Sequence, residues 1–161
     1  MSSEQFEKMR TNKKGDFNMG VTINSVNKSI DLGYFGFRRL RVKIAELVNE
    51  EIGDHYKELE NSTFIFDENE RQKFFKKYDA KTKQLDEKYD YKYNAILYFL
   101  YSSDCEATID VNVCKELYEI IKDYQDNTQY GYIGRKDCAT FNDFKEIIKD
   151  CIENNEPLEW F

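Results

Sequence analysis

Proline is almost missing from this chain. Pro157 is the only one, and neither proline nor glycine interrupts the sequence between Gly53 and Gly131. A stretch of that length without a breaker excludes a turn-rich all-β chain and predicts helices through its middle. Histidine is as scarce, with His55 alone. One histidine leaves a single candidate base for Ser-His-Asp or Cys-His chemistry. It stands between Asp54 and Tyr56 just past Gly53, where a surface place at a helix start accounts for it. Long apolar runs are absent too. The longest, Ala95 to Tyr101, falls far short of the roughly 20 residues that span a bilayer. Residues Met1 to Asp16 are mostly polar and lack the apolar run of a secretory leader. These features point to a cytoplasmic chain without membrane contact.

Cys105, Cys114, Cys138 and Cys151 form no C-x-x-C pair. In a reducing compartment they read as half-buried helix residues; a zinc site gathered from all four by folding is the alternative. There is no P-loop, dinucleotide fingerprint, EF-hand or H-E-x-x-H, and no carboxylate pair stands out among 31 acids. No catalytic residue, metal or cofactor is therefore assigned, and a non-enzymatic protein is the expectation.

What the chain does have is aromatic mass and negative charge. Twelve Tyr and 12 Phe among 161 residues supply large side chains for a core, so the composition is that of a folded domain rather than a disordered one. Net charge is −7, unevenly spread: residues 1–41 carry +4 and residues 42–161 carry −11. Such a field repels nucleic-acid polymers and favours partners with a basic surface.

Residues 1–18 lack sustained periodicity and read as a flexible arm, with Met19 a second possible start and residues 19–161 one globular domain. Alternation of Val21, Ile23 and Ser25 predicts a strand over 20–26, followed by a turn from Asn27 to Leu32. Phe37, Leu40, Ile44, Leu47 and Val48 then recur at helical spacing, with Gly53 a candidate stop. Asp67 with Glu70, Asp110, and Thr140 with Asp143 are candidate helix caps. The helix after Asp67 runs through Leu85 and then continues or restarts, with a strand through Tyr89, Tyr91 and Tyr93 as the alternative. Pro157 ends the last helix, leaving Trp160 and Phe161 as an apolar tail tip. A lone strand cannot satisfy its edges, and Phe64 and Phe66 make residues 61–66 the expected partner. The class is α+β, mainly α, with a small sheet.

One pattern recurs. Gly33-Tyr34-Phe35-Gly36 and Gly131-Tyr132-Ile133-Gly134, 98 residues apart, share G-Y-x-G and trailing cations: Arg38, Arg39 and Arg41 after the first, Arg135 and Lys136 after the second. Glycine turns can aim amides at an anion, and a helix start favours negative charge. Arginines there oppose the helix dipole and call for a compensating acid or a bound phosphate or carboxylate. Gly33, Tyr34, Gly36, Arg38, Arg39, Gly131, Tyr132, Gly134 and Arg135 are thus the candidate ligand-binding residues. Nearby aromatics (Tyr34, Phe35, Phe37) suit a nucleotide-sized ligand.

The stretch MGVTINSVNKSIDLGYFGFRRLR, residues 19–41, resembles the opening of uncharacterised small acidic proteins of bacteria and their phages, with a fainter likeness over Tyr130 to Trp160. The resemblance implies no functional residue. Small acidic phage accessory proteins are similar in size and charge to anti-defence inhibitors, anti-CRISPR proteins among them. Two functions follow as expectations: an acidic interaction protein that binds a protein partner, or a module holding a small anion at the two G-Y-x-G turns.

Overall fold

The computed structural model describes residues 20–130 and 139–161. The predicted arm and the second G-Y-x-G with Arg135 lie outside the described residues. Alternation over Gly20-Val-Thr-Ile-Asn buries Val21 and Ile23 on one face, and strand β1 (Gly20–Asn24) forms there as expected. Its partner differs from the expected one. The turn is confined to Ser25–Lys28, where Lys28 N–H donates to Ser25 Oγ at 3.1 Å and Ser25 N–H to the Lys28 carbonyl at 2.9 Å. The chain then returns antiparallel as β2 (Ser29–Gly33), pairing Ile23 with Ile30 and Gly20 with Gly33.

Residues 61–66 are not a strand. A 3₁₀ helix covers Glu58–Phe64, because Ser62 and Thr63 bend their hydroxyls back onto the carbonyls of Leu59 and Glu60, both at 2.7 Å. Those local bonds compete with strand pairing and override the β preference of Phe-Ile-Phe. The sheet is completed by β3 (Ala107–Ile109) and β4 (Leu158–Trp160), in the order β2-β1-β4-β3 with every pair antiparallel. Trp160 is therefore no tail tip. It lies opposite both Ile23 and Ala107 and is 1% exposed, while Phe161 alone reaches solvent.

Helix α1 (Tyr34–Val48) leaves β2 without a linker and buries Gly36, Phe37, Leu40, Arg41, Ile44 and Ala45. Asn49 ends it and caps α2 (Glu50–Lys57), accepting from Ile52 N–H at 2.8 Å. Gly53 sits inside α2 rather than stopping a helix. A β-carbon there would lie 2.9 Å from Glu46 Cα, so the glycine lets α1 and α2 pack backbone to backbone. Helix α3 (Glu68–Lys88) starts at the predicted cap, Asp67. Asp90 and Tyr91, both at positive φ, break it from α4 (Asn94–Tyr101). Asp110 caps α5 (Val111–Ile121), and Thr140 with Asp143 forms a full capping box on α6 (Phe141–Asn154).

The helices close on the inner sheet face around Trp160, Phe37, Phe99 and Phe144, whose rings meet at 5.2 to 6.4 Å. Asp150 of α6 fastens the hairpin turn from behind, accepting from Ser25 Oγ, Asn27 N–H and Asn27 Nδ2. Among the described residues, no helix is long and apolar enough to cross a membrane.

Candidate functional site

A cleft of about 630 Å³ opens between α1, the 3₁₀ helix, α3 and the end of α4, a size typical of small-molecule sites. Tyr34, Arg38 and Arg41 reach it from α1 because spacings of four and three residues share a helix face. Arg71, Phe75 and Tyr78 come from α3, Tyr56 from α2, and Tyr101 from α4; Glu60, Asp79 and Asp104 bring acids to the walls.

Arg41 forms the floor. It is 4% exposed and donates to the carbonyls of Leu100 (3.1 Å), Ser102 (2.7 Å) and Ser103 (3.2 Å). A cation there satisfies the unpaired carbonyls at the α4 C-terminus and its partial negative charge. The guanidinium also lies 4.1 Å from the Phe37 ring centre, while its Nε has no partner. Burial lowers its pKa, with Tyr56 and Asp104 opposing, yet an arginine keeps its proton under such pressure. Arg71 is committed elsewhere, holding the Ser62 carbonyl at 2.7 Å. Arg38 is exposed and lies 6.0 Å from the Phe35 ring centre. Among the described residues, the ion pairs belong to lysines, while His55, neutral through burial, only stands 4.0 Å from Glu58. Arg38, Arg39, Arg41 and Arg71 form none with a carboxylate.

The back wall is aromatic. Tyr78 Oη meets Tyr101 Oη at 2.7 Å, and Tyr56 Oη donates to the Leu100 carbonyl. Burial pushes all three phenols above the usual tyrosine range. His55, expected on the surface, is 1% exposed and stacks on Tyr78 at 4.0 Å. Its Nε2 lies 2.6 Å from Thr82 Oγ1, whose own proton goes to the Tyr78 carbonyl. The imidazole N–H is thus on Nε2, and Nδ1 carries a bare lone pair without a hydrogen-bond partner. Burial lowers the His55 pKa, as does Lys81. The ring packs against the wall from behind Tyr78, with Thr82 as its hydrogen-bond partner.

Of the residues predicted from the sequence, Tyr34 and Arg38 do line the cleft. The others described serve differently. Gly33 is the α1 N-cap in ordinary extended geometry. Gly36 is buried, and a β-carbon there would lie 1.4 Å from the Tyr130 carbonyl oxygen, so it is a point of backbone contact rather than an anion cradle. Arg39 turns away from the cleft, donating to the Gln129 carbonyl at 3.2 Å with its guanidinium 5.6 Å from the Tyr130 ring centre. The fold therefore brings the first motif against Tyr130, the residue just before the second; Gly131, Tyr132, Gly134 and Arg135 lie outside the described residues.

Arg71, Tyr56, Tyr78 and Tyr101 were not singled out from the sequence. An arginine on the apolar stripe of Phe37, Leu40 and Ile44 was the available signal for Arg41. Cys114 and Cys151 are buried on neighbouring helices and Cys105 is half-buried between elements. Among the described residues no three His, Cys, Asp or Glu side chains gather to hold a metal, so the alternative of a four-cysteine site finds no support in Cys105, Cys114 and Cys151. Comparison with family models, with curated proteins and with solved structures gives no match to this chain.

Proposed function

We propose that this chain is a non-enzymatic binding protein whose cleft holds a small molecule bearing one phosphate or carboxylate, such as a nucleoside monophosphate. The observation that carries this reading is the cationic side of the cleft. Arg38 stands at its mouth and Arg41 on its floor, neither neutralised by a carboxylate in ion-pair contact among the described residues. Guanidinium forks match planar or tetrahedral oxyanions. Tyr34, Phe75 and Tyr101 offer rings for an aromatic moiety, and Glu60, Asp79 and Asp104 oppose ligands of high negative charge.

Isothermal titration with adenosine monophosphate, adenosine and inorganic phosphate tests this. The monophosphate should bind and adenosine bind at least tenfold more weakly. Arg38→Glu should abolish the heat while circular dichroism stays unchanged. Equal binding of nucleoside and nucleotide, or binding indifferent to Arg38→Glu, refutes the reading.

A second reading, an acidic protein that docks on another protein as anti-defence inhibitors do, is favoured by a different observation. Phe64 and Phe66 stand in solvent, at 76% and 91% exposure.

A further inference from the structure

The segment Glu58–Glu70 holds Glu58, Glu60, Asp67, Glu68 and Glu70 and no lysine or arginine. At its centre the chain is extended at Ile65 (φ −100, ψ 109), so flanking side chains leave on the same side. Ile65 turns inward and is half-buried, while Phe64 and Phe66 project outward. Two neighbouring phenylalanines in water are an unfavourable arrangement for an isolated surface.

The loop that carries them is tied down. Arg71 Nη1 donates to the carbonyls of Ser62 (2.7 Å) and Ile65 (3.4 Å), and Ile65 N–H donates to the Ser62 carbonyl at 3.3 Å. Asp67 caps α3 immediately after, accepting from Glu70 N–H at 3.0 Å. The aromatics are thus displayed on a fixed backbone with only two torsions each to order. That is how interface anchors keep the entropy cost of binding low.

We infer that Phe64 and Phe66 are the anchors by which this protein docks on a partner protein, in an apolar pocket of that partner bordered by lysine or arginine. The inference rests on the second reading above and gives it a surface. Charge selects the occupant. Of the five acids, Glu58 is paired with Lys81, Glu70 with Lys73, and Asp67 is occupied as a cap, which leaves Glu60 and Glu68 without ion pairs among the described residues. Like charge excludes a nucleic-acid strand and an anionic lipid surface, and it opposes a second copy that would bring the same acids. A basic rim around an apolar pocket answers both the aromatics and the acids.

The test is photo-cross-linking of the full chain in its own cells. Benzoylphenylalanine replaces Phe66 in one version and, as control, Tyr91, which lies beyond the other end of α3, roughly 30 Å away along a 21-residue helix. Cross-linked protein is identified, purified and titrated. A partner captured from position 66 and not from 91 is expected. Its affinity should weaken at least tenfold with Phe64→Ser/Phe66→Ser, and severalfold with Glu60→Gln/Glu68→Gln or on raising salt from 50 to 500 mM. Arg38→Glu should leave it unchanged. Melting temperatures of all variants are measured alongside, since exposed side chains can be changed without unfolding the chain. A partner captured equally at 91, or one indifferent to the phenylalanine variant, overturns the docking surface and leaves the second reading standing. No adduct at either position overturns both, and an adduct with a second copy of the chain replaces the assigned occupant.

Discussion

Alanine normally improves a helix when it replaces glycine, by roughly 1 kcal/mol in the interior and less in the first turn. Gly36, the third residue of α1, should show the opposite sign. A β-carbon there would lie 1.4 Å from the Tyr130 carbonyl oxygen, 2.5 Å from its carbon and 3.2 Å from its Cα. None of these is the loose end of a side chain, so α1 or the Tyr130 backbone must move. Tyr130 is 3% exposed, donates from its N–H to the Ala139 carbonyl at 2.8 Å, and packs on the Phe141 ring at 6.2 Å. Overpacking of this kind costs about 1–3 kcal/mol, and loss of Tyr130 packing adds to it. The added loss at Tyr130 roughly offsets the helix gain, and the net for Gly36→Ala is a loss of about 1–3 kcal/mol. For a chain of this size that corresponds to a fall in Tm of roughly 2–12 °C. Urea and thermal denaturation followed by circular dichroism measure it. Gly53→Ala, whose β-carbon would approach Glu46 no closer than 2.9 Å, provides the graded comparison and should lose less. An unchanged or raised Tm for Gly36→Ala would refute the close approach and the placement of Tyr130 with it.

Three other perturbations follow from burial and titration. Ile44→Ala should cost about 2–5 kcal/mol in urea denaturation, since Ile44 is 0% exposed; a change below about 1 kcal/mol would contradict its core place. Asp150 titrates below the ordinary 3.8 because Ser25 and Asn27 donate to its carboxylate. Its contribution is whole above 3.8 and lost as pH falls through the lowered value, so Asp150→Asn should lower Tm at neutral pH and flatten the decline below 3.8. His55, held neutral by burial, titrates below the ordinary 6.5, and stability should decline as pH falls from 6.5 toward that lowered value. His55→Phe keeps a ring on Tyr78 without a proton to gain, so a decline of the same size in that variant would remove His55 as its source.

The parts of the fold legible in the sequence are those decided within a few residues. The caps at Asp67, Asp110 and Thr140 read directly because each is bonded to the amide three positions on. The stripe Phe37, Leu40, Ile44 read directly because one helix face explains it. The sheet read only in part. β1 alternates clearly, but β3 and β4 have three residues each, too few for periodicity, and β4 follows a proline that reads as a terminator. Residues 61–66 misled because Phe64 and Phe66, two apart, share one face of a strand, whereas the hydroxyls of Ser62 and Thr63 bond back three residues. At the cleft, helical spacing from Tyr34 separates Arg38 and Arg41 from Arg39, whose place is on another face. Arg71 and the tyrosine wall depend on how α3 crosses α1, which no local pattern encodes.

The position of β4 sets the order in which this protein can assemble as it is made. β1 and β2 emerge early and can form only a two-stranded hairpin, marginal by itself. β3 follows at residues 107–109 with no strand yet available beside it, because its one neighbour among the described residues is residues 158–160. Trp160, around which Phe37 and Phe99 pack, also arrives only with β4. Synthesis therefore proceeds through the roughly 50 residues between Ile109 and Leu158 with β3 separated from the β1–β2 hairpin. The two parts join only once residues 158–160 are made, and the helices remain without a finished surface to close on until that strand inserts.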